Sequence, residues 1–225
     1  SLAFTPDGNG MGLAINSAKA PSDVYRFEFG DAELTRWTQS EIGGLDRDRF
    51  VEAELIEYET FDGRSIPAFV YRPSTQGPHP VVISIHGGPE GQYRPYFSTT
   101  VQSYVQELDV VYIAPNVRGS DGYGKSYLKI DNGMLREDSV KDIGALLDWI
   151  DQQDDLDSDN VSVMGGSYGG YMVLSCMVHY GDRLAAASES VGISNFVTFL
   201  ENPQPYRQDL RRAEYGDERD PAMRA

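Results

Sequence analysis

The chain has 225 residues, with 35 acidic and 19 basic side chains and a formal charge of −16 at neutral pH. Such a surface repels phosphate backbones and anionic lipid, which argues against nucleic acid and membrane surfaces as partners. A hydrophobic fraction of 40% supplies a core, and no run of 18 apolar residues is present to cross a membrane as a helix. The single cysteine, Cys176, excludes an internal disulfide framework and a cysteine-rich zinc site. It lies in the apolar run Tyr171–Val178, where it reads as a small core hydrophobe.

The first ~45 residues read as strands and turns. Thr5-Pro-Asp-Gly8 is a turn signature, and Val24–Phe29 places Tyr25, Phe27 and Phe29 on one face of a half-buried strand. A turn at Gly30–Glu33 leads into the strand Leu34–Thr38. Two or three such strands make no stable core alone. The polar, glycine-bearing stretch Ser40–Asp48 reads as a linker, with a domain boundary near residue 48.

From Glu52 the pattern changes. Glu54–Phe61 and Ser65–Tyr71 flank a turn at Asp62-Gly-Arg64 and predict an antiparallel pair. The β-branched run Pro80–His86 predicts a strand buried on both faces, and Val110–Ala114 predicts another. Helices are expected over Phe97–Glu107, over Ser139–Gln153 on a stripe of Val140, Ile143, Leu146, Leu147 and Ile150, and over Tyr168–His179. Strands are expected at Val161–Met164 and Leu184–Val191. This alternation implies an open, mostly parallel sheet with helices on both faces.

Two motifs compete for the chemistry. Gly119-Ser-Asp-Gly-Tyr-Gly-Lys-Ser126 fits G-x-x-x-x-G-K-[ST], which would cradle phosphate on backbone N–H groups with Lys125 on the phosphates and Ser126 on Mg²⁺. Against that nucleotide-hydrolase reading, Pro115–Arg118 separates the strand from the loop, Asp121 would put a carboxylate in an anion cradle, and Asn132-Gly133 cuts the following helix short. Gly165-Gly-Ser-Tyr-Gly169 fits G-x-S-x-G and lies between a buried strand and an apolar helix, the setting of a nucleophilic serine on a sharp turn. Ser167 is then the candidate nucleophile. The N–H of Tyr168, opening the helix, and that of Gly88, in Ile85-His-Gly-Gly-Pro89, are the candidate oxyanion donors. His86, at a strand end beside glycines, reads as a structural hydrogen-bonding residue.

The motifs His86-Gly-Gly-Pro89, Asn116–Gly124 and Gly165–Gly170, in this order and spacing, resemble the prolyl oligopeptidase family of serine peptidases, closest to its acylaminoacyl-peptidase and dipeptidyl-peptidase-like branch. The resemblance covers about residues 50–220. It implies an α/β-hydrolase domain over residues 49–225, preceded over residues 1–48 by the last strands of a β-propeller. It also implies acyl transfer from peptide substrates through serine, histidine and aspartate, with no metal or organic cofactor. Within the resemblance, the glycines after Arg118 serve turns near the rim of the site, Arg118 ties that loop down, and Lys125 and Ser126 are surface residues. An esterase with the same site residues, or a non-enzymatic module that keeps the elbow as architecture, are the alternatives within this fold.

The triad is incomplete in the sequence. In this fold the acid and the histidine follow the serine. Of the three histidines, His79 falls in the turn Gly77–Pro80, and His86 precedes the serine. His179 lies about 18 Å along the helix at ~1.5 Å per residue, beyond hydrogen-bond reach. Asp209, Asp217 and Asp220 fall upstream of the family's acid position and read as ordinary polar residues. The expectation is a fragment truncated at both ends, close to inactive alone and prone to self-association through an uncovered sheet edge.

Overall fold

The computed structural model describes residues 1–202 and 204–224. Strands β1 (Leu2–Phe4), β2 (Gly10–Ser17), β3 (Ala20–Glu28) and β4 (Leu34–Arg36) form an antiparallel meander in that order. The expected alternation of buried and exposed residues on Val24–Phe29 does not hold. Phe29 is exposed and lies beyond β3, whereas Asp23 is buried. The Asp23 carboxylate pairs with Arg36 and accepts hydrogen bonds from the Thr38 hydroxyl (2.8 Å) and the Ser40 N–H (2.9 Å). A polar clasp, rather than an apolar face, therefore fixes the end of this meander.

The second sheet contains β5 (Glu54–Glu59), β6 (Ser65–Tyr71), β7 (His79–Ile85), β8 (Val111–Pro115), β9 (Leu156–Gly166) and β10 (Ala186–Ser190). Its order is β10-β9-β7-β8-β6-β5. β8, β7, β9 and β10 run parallel, and β6 and β5 add antiparallel on the β8 side. The helices in chain order are α1 (Thr99–Glu107), α2 (Lys125–Leu128), α3 (Asp138–Ile150), α4 (Tyr168–Tyr180), α5 (Phe196–Glu201), α6 (Pro205–Tyr215) and α7 (Pro221–Arg224). β9 begins five residues before the expected strand, and the expected turn residue His79 is instead the first residue of β7, paired with Leu156. α6 was not expected.

The period-two rule sorts the strand residues between the two faces. Val81, Ile83, Val111, Ile113, Val161 and Val163 pack with α3 and α4. Tyr71, Tyr112 and Ala114 pack with Val101 and Val105 of α1 on the other face. The stripe expected on α3 is the one that is buried. β10 forms the opposite edge, with all five residues exposed. The meander meets this body through Gln102 of α1, which is fully buried. Its amide nitrogen donates to the Ala18 and Val51 carbonyls (3.0 Å each), and its oxygen accepts from the Val51 N–H (3.0 Å).

The connection after β8 is held by a buried ion pair. Arg118 and Asp142 have side chains 2% and 0% exposed and lie 2.8 Å apart. Asp142 also accepts from the Arg118 N–H (3.0 Å) and the Thr60 hydroxyl (2.8 Å). The guanidinium reaches Asp62 at 3.2 Å and covers the Phe61 ring at 4.5 Å. One cation thereby joins the β5–β6 turn, α3 and the glycine-rich loop. Removing a single partner strands a buried charge, so Asp142→Ala is expected to cost about 3–5 kcal/mol in urea unfolding, whereas the paired exchange Arg118→Met with Asp142→Leu should recover much of that loss.

Candidate active site

Ser167 occupies the turn between β9 and α4 with φ 57° and ψ −118°, a left-handed conformation that a residue with a side chain rarely adopts. Its N–H donates to the Ser190 carbonyl on β10 at 3.0 Å, and its carbonyl accepts from the Tyr171 N–H at 3.2 Å. The turn is thus pinned on both sides. Ser167 is exposed and lines a groove of about 420 Å³ with Val191–Asn195, Thr198, Phe199 and Asn202.

Glycines create the space for this turn. A Cβ on Gly169 would lie 2.1 Å from the Ile85 carbonyl oxygen, and one on Gly165 would lie 2.6 Å from the Gly169 backbone. A Cβ on Gly170 would come 2.6 Å from the Cα of Gly192. The first turn of α4 therefore lies directly on the end of β7 and on the segment after β10. Tyr168, at the first helical position, has no intrahelical acceptor for its N–H. Its ring is buried, with the hydroxyl 2.8 Å from the Ser139 hydroxyl.

The loop after β7 faces the same turn. A Cβ on Gly87 would be 3.5 Å from the Ser167 Cβ. The Gly87 carbonyl lies 2.8 Å from His86 Nδ1, and the Gly88 carbonyl accepts from the Tyr215 hydroxyl at 2.7 Å. Gly88 has φ +140°. His86 Nε2 is 2.8 Å from the Ser120 hydroxyl, so both ring nitrogens are engaged in holding loops. Burial pushes the imidazole below its usual range and keeps it neutral at pH 7. The Glu214 carboxyl, which accepts from the Glu90 N–H (3.4 Å), is pushed up to about 7, chiefly by burial.

Among the described residues no hydrogen bond joins a histidine ring to Ser167. His79 Nε2 binds the Thr75 carbonyl, and His179 sits exposed near the C-terminal end of α4. Asp209 pairs with Arg212, Asp217 with Arg219, and Asp220 caps α7. No group of three or more His, Cys, Asp or Glu residues capable of holding a metal occurs among the described residues. Cys176 is buried, with its thiol pushed up to about 12.

The nucleotide-like loop has little left to offer phosphate. The N–H groups of Gly119, Ser120, Asp121 and Gly122 donate to Tyr127 O, Val117 O, Gly91 O and the Asp121 carboxylate. α2, which starts at Lys125, has four residues. The residues that sequence reading passed over are Arg136 and Tyr215. Tyr215 ends α6, whose one available signal was Pro205 at the first helical position. Nothing in the sequence marked Arg136 for burial.

The family model of the prolyl oligopeptidase family matches residues 95–224. The chain belongs to the prolyl oligopeptidase family. It is 28% identical over 194 residues to prolyl oligopeptidase A of Galerina marginata, covering 83% of this chain and 26% of that protein. With dipeptidyl aminopeptidase BIII of Pseudoxanthomonas mexicana it shares 27% identity over 203 residues, covering 86% of this chain and 29% of the relative. Among solved structures, apo prolyl oligopeptidase B of Galerina marginata superposes with a TM-score of 0.83 at 20% identity, over 99% of this chain and 32% of the other. The acylaminoacyl peptidase of Pyrococcus horikoshii does so with a TM-score of 0.81 at 19% identity, over 100% and 36%. The six-stranded body is thus that of an α/β-hydrolase. The chain thus spans less than a third of the length of these two curated relatives.

The elbow depends on glycine at position 169. Gly169→Ala should cost ~3 kcal/mol or more, or abolish soluble expression, because the clash is with the backbone of Ile85 and His86, which cannot move aside as a side chain can. Gly181→Ala, where nothing lies within 4 Å of the added Cβ, serves as the control and should leave the unfolding midpoint within a few degrees.

Proposed function

We propose that this chain carries the nucleophile of a serine peptidase that cleaves short peptides, and that the acid and base of the triad lie in a part of the protein outside these 225 residues. The observation that carries the reading is Ser167 held at φ 57° on a glycine-cleared strand-to-helix turn, with its side chain at an open groove. Family membership and the modest share of each relative's length that the chain spans support it.

The chemistry follows from the placement. Ser167 Oγ adds to the acyl carbonyl carbon while its proton passes to the base. The oxygen that becomes negative is met by the N–H of Tyr168, at the positive end of α4, and by that of Gly88. The tetrahedral intermediate collapses, the amine leaves with the proton, and water then releases the acyl group from Ser167 by the same route. In this reading Arg118 supports the loop at the rim. Residues 1–48 are the closing strands of a β-propeller that precedes the catalytic domain. The exposed β10 edge is where the rest of the sheet adds, or where isolated chains self-associate.

In the complete enzyme, Ser167→Ala should lower peptide hydrolysis by several orders of magnitude, whereas Lys125→Ala should stay within about twofold of the parent. Mg²⁺-dependent ATP binding that is lost in Lys125→Ala would favour the nucleotide reading instead. The isolated 225-residue chain should react with a fluorophosphonate far more slowly than the complete enzyme, as judged by mass spectrometry of the Ser167 peptide. Labelling at an ordinary serine-peptidase rate would show that no outside base is needed.

A further inference from the structure

Behind the proposed oxyanion site lies a buried cation that the chemistry above does not use. Arg136 follows a short 3₁₀ turn at Gly133–Leu135 and has a side chain only 4% exposed. It forms an ion pair with the fully buried Asp131 at 2.5 Å. Nη2 donates to the Glu214 carbonyl (2.5 Å) and to the Asn132 side chain (3.3 Å). Nη1 also points at the Tyr168 hydroxyl at 3.4 Å.

The guanidinium faces two aromatic rings at once. Its carbon lies 5.3 Å from the centroid of Tyr168 and 5.2 Å from that of Tyr215, and the two rings meet at 6.1 Å with an interplanar angle of 60°. Each ring leads to one of the proposed oxyanion donors. Tyr168 carries the first N–H of α4. Tyr215 donates its hydroxyl to the Gly88 carbonyl. The Gly87 carbonyl, in the same peptide unit as the Gly88 N–H, is engaged by His86. Gly88, at φ +140°, has little intrinsic preference to hold that N–H in place. Its orientation must come from its neighbours.

We propose that Arg136 is a positioning residue, which fixes the two oxyanion donors relative to each other by clamping Tyr168 and Tyr215 in one cation–π stack. The proposal rests on the assignment of Tyr168 and Gly88 as those donors. A guanidinium in this role does what a lysine cannot, because its plane meets two rings while its fork serves Asp131 and the Glu214 carbonyl. The link through Tyr215 to Gly88 is a single hydrogen bond, so it can be cut without touching the core.

The test uses the complete enzyme. Tyr215→Phe keeps the ring and deletes the bond to Gly88, and Arg136→Met keeps volume and deletes the clamp. Turnover is measured per active site titrated with a fluorophosphonate, so that a smaller folded fraction does not register as slow chemistry. Losing an oxyanion donor outright costs ~10²–10³-fold in kcat, so loosening one should cost roughly 10- to 100-fold, with KM changed by less than about threefold. Affinity for a peptide aldehyde, whose adduct bears the oxyanion, should fall in parallel. The double variant should lose little more than Arg136→Met alone, because the two residues act in one chain. Arg136→Lys should not restore the rate. If Tyr215→Phe retains kcat per titrated site within threefold and binds the aldehyde as the parent does, the proposal is overturned, even where Arg136→Met fails to fold. Hydrolysis that survives Ser167→Ala would overturn the nucleophile assignment instead, whatever the Arg136 variants do.

Discussion

The geometry of the site depends on one close approach. The first turn of α4 rests on the Ile85 carbonyl with room for a hydrogen but not a methyl group. That approach lets β9 end, reverse and become a helix within a single residue, and it forces Ser167 into its left-handed conformation. The strain at Ser167 is sustained because its neighbours over-determine it: β10 accepts its N–H, α4 donates to its carbonyl, and β7 blocks any relaxation downward. A serine on an ordinary turn could rotate away from a substrate, whereas this one has its direction fixed by the sheet.

The two glycine-rich segments show how the same residue type serves different ends. At positions 165–170 glycine permits backbone to touch backbone. At positions 119–124 it permits positive φ in a loop whose N–H groups at 119–122 are taken up by acceptors of the protein itself. Gly119 sits against the Asp131 carboxylate, which burial holds up to about 6, an arrangement hostile to a bound anion. A phosphate cradle needs converging, unoccupied N–H groups, and a sequence pattern cannot report whether they are occupied.

Much of this fold was legible from residue order. The β-branched runs at 80–86 and 110–114, the apolar stripe on α3 and the glycine spacing around Ser167 each follow from local rules, and the parallel sheet follows from their alternation. What stayed hidden was non-local. α6 is polar along most of its length and buries only Tyr215, so no periodic signal announced it. Arg136 looks like any surface arginine until Asp131, Tyr168 and Tyr215, drawn from three separate segments, close around it. Asp23 is similar: a carboxylate in a strand pattern reads as the solvent face, and only Arg36, Thr38 and Ser40 turn it inward. His79 was misplaced because Gly77-Pro78 ahead of it reads as a turn that continues, whereas the chain joins β7 at once.

Gln102 gives the two sheets a mechanical relationship. Its one side-chain amide holds the hairpin tip at Ala18 and both polar groups of Val51, and Arg49 adds a second anchor by donating to the Gln106 carbonyl at the end of the same helix. Sliding of the meander along α1 would break the three hydrogen bonds of Gln102 together. Since α1 packs on the sheet face opposite α3 and α4, the meander is tethered to the side of the body away from the helix that carries Ser167.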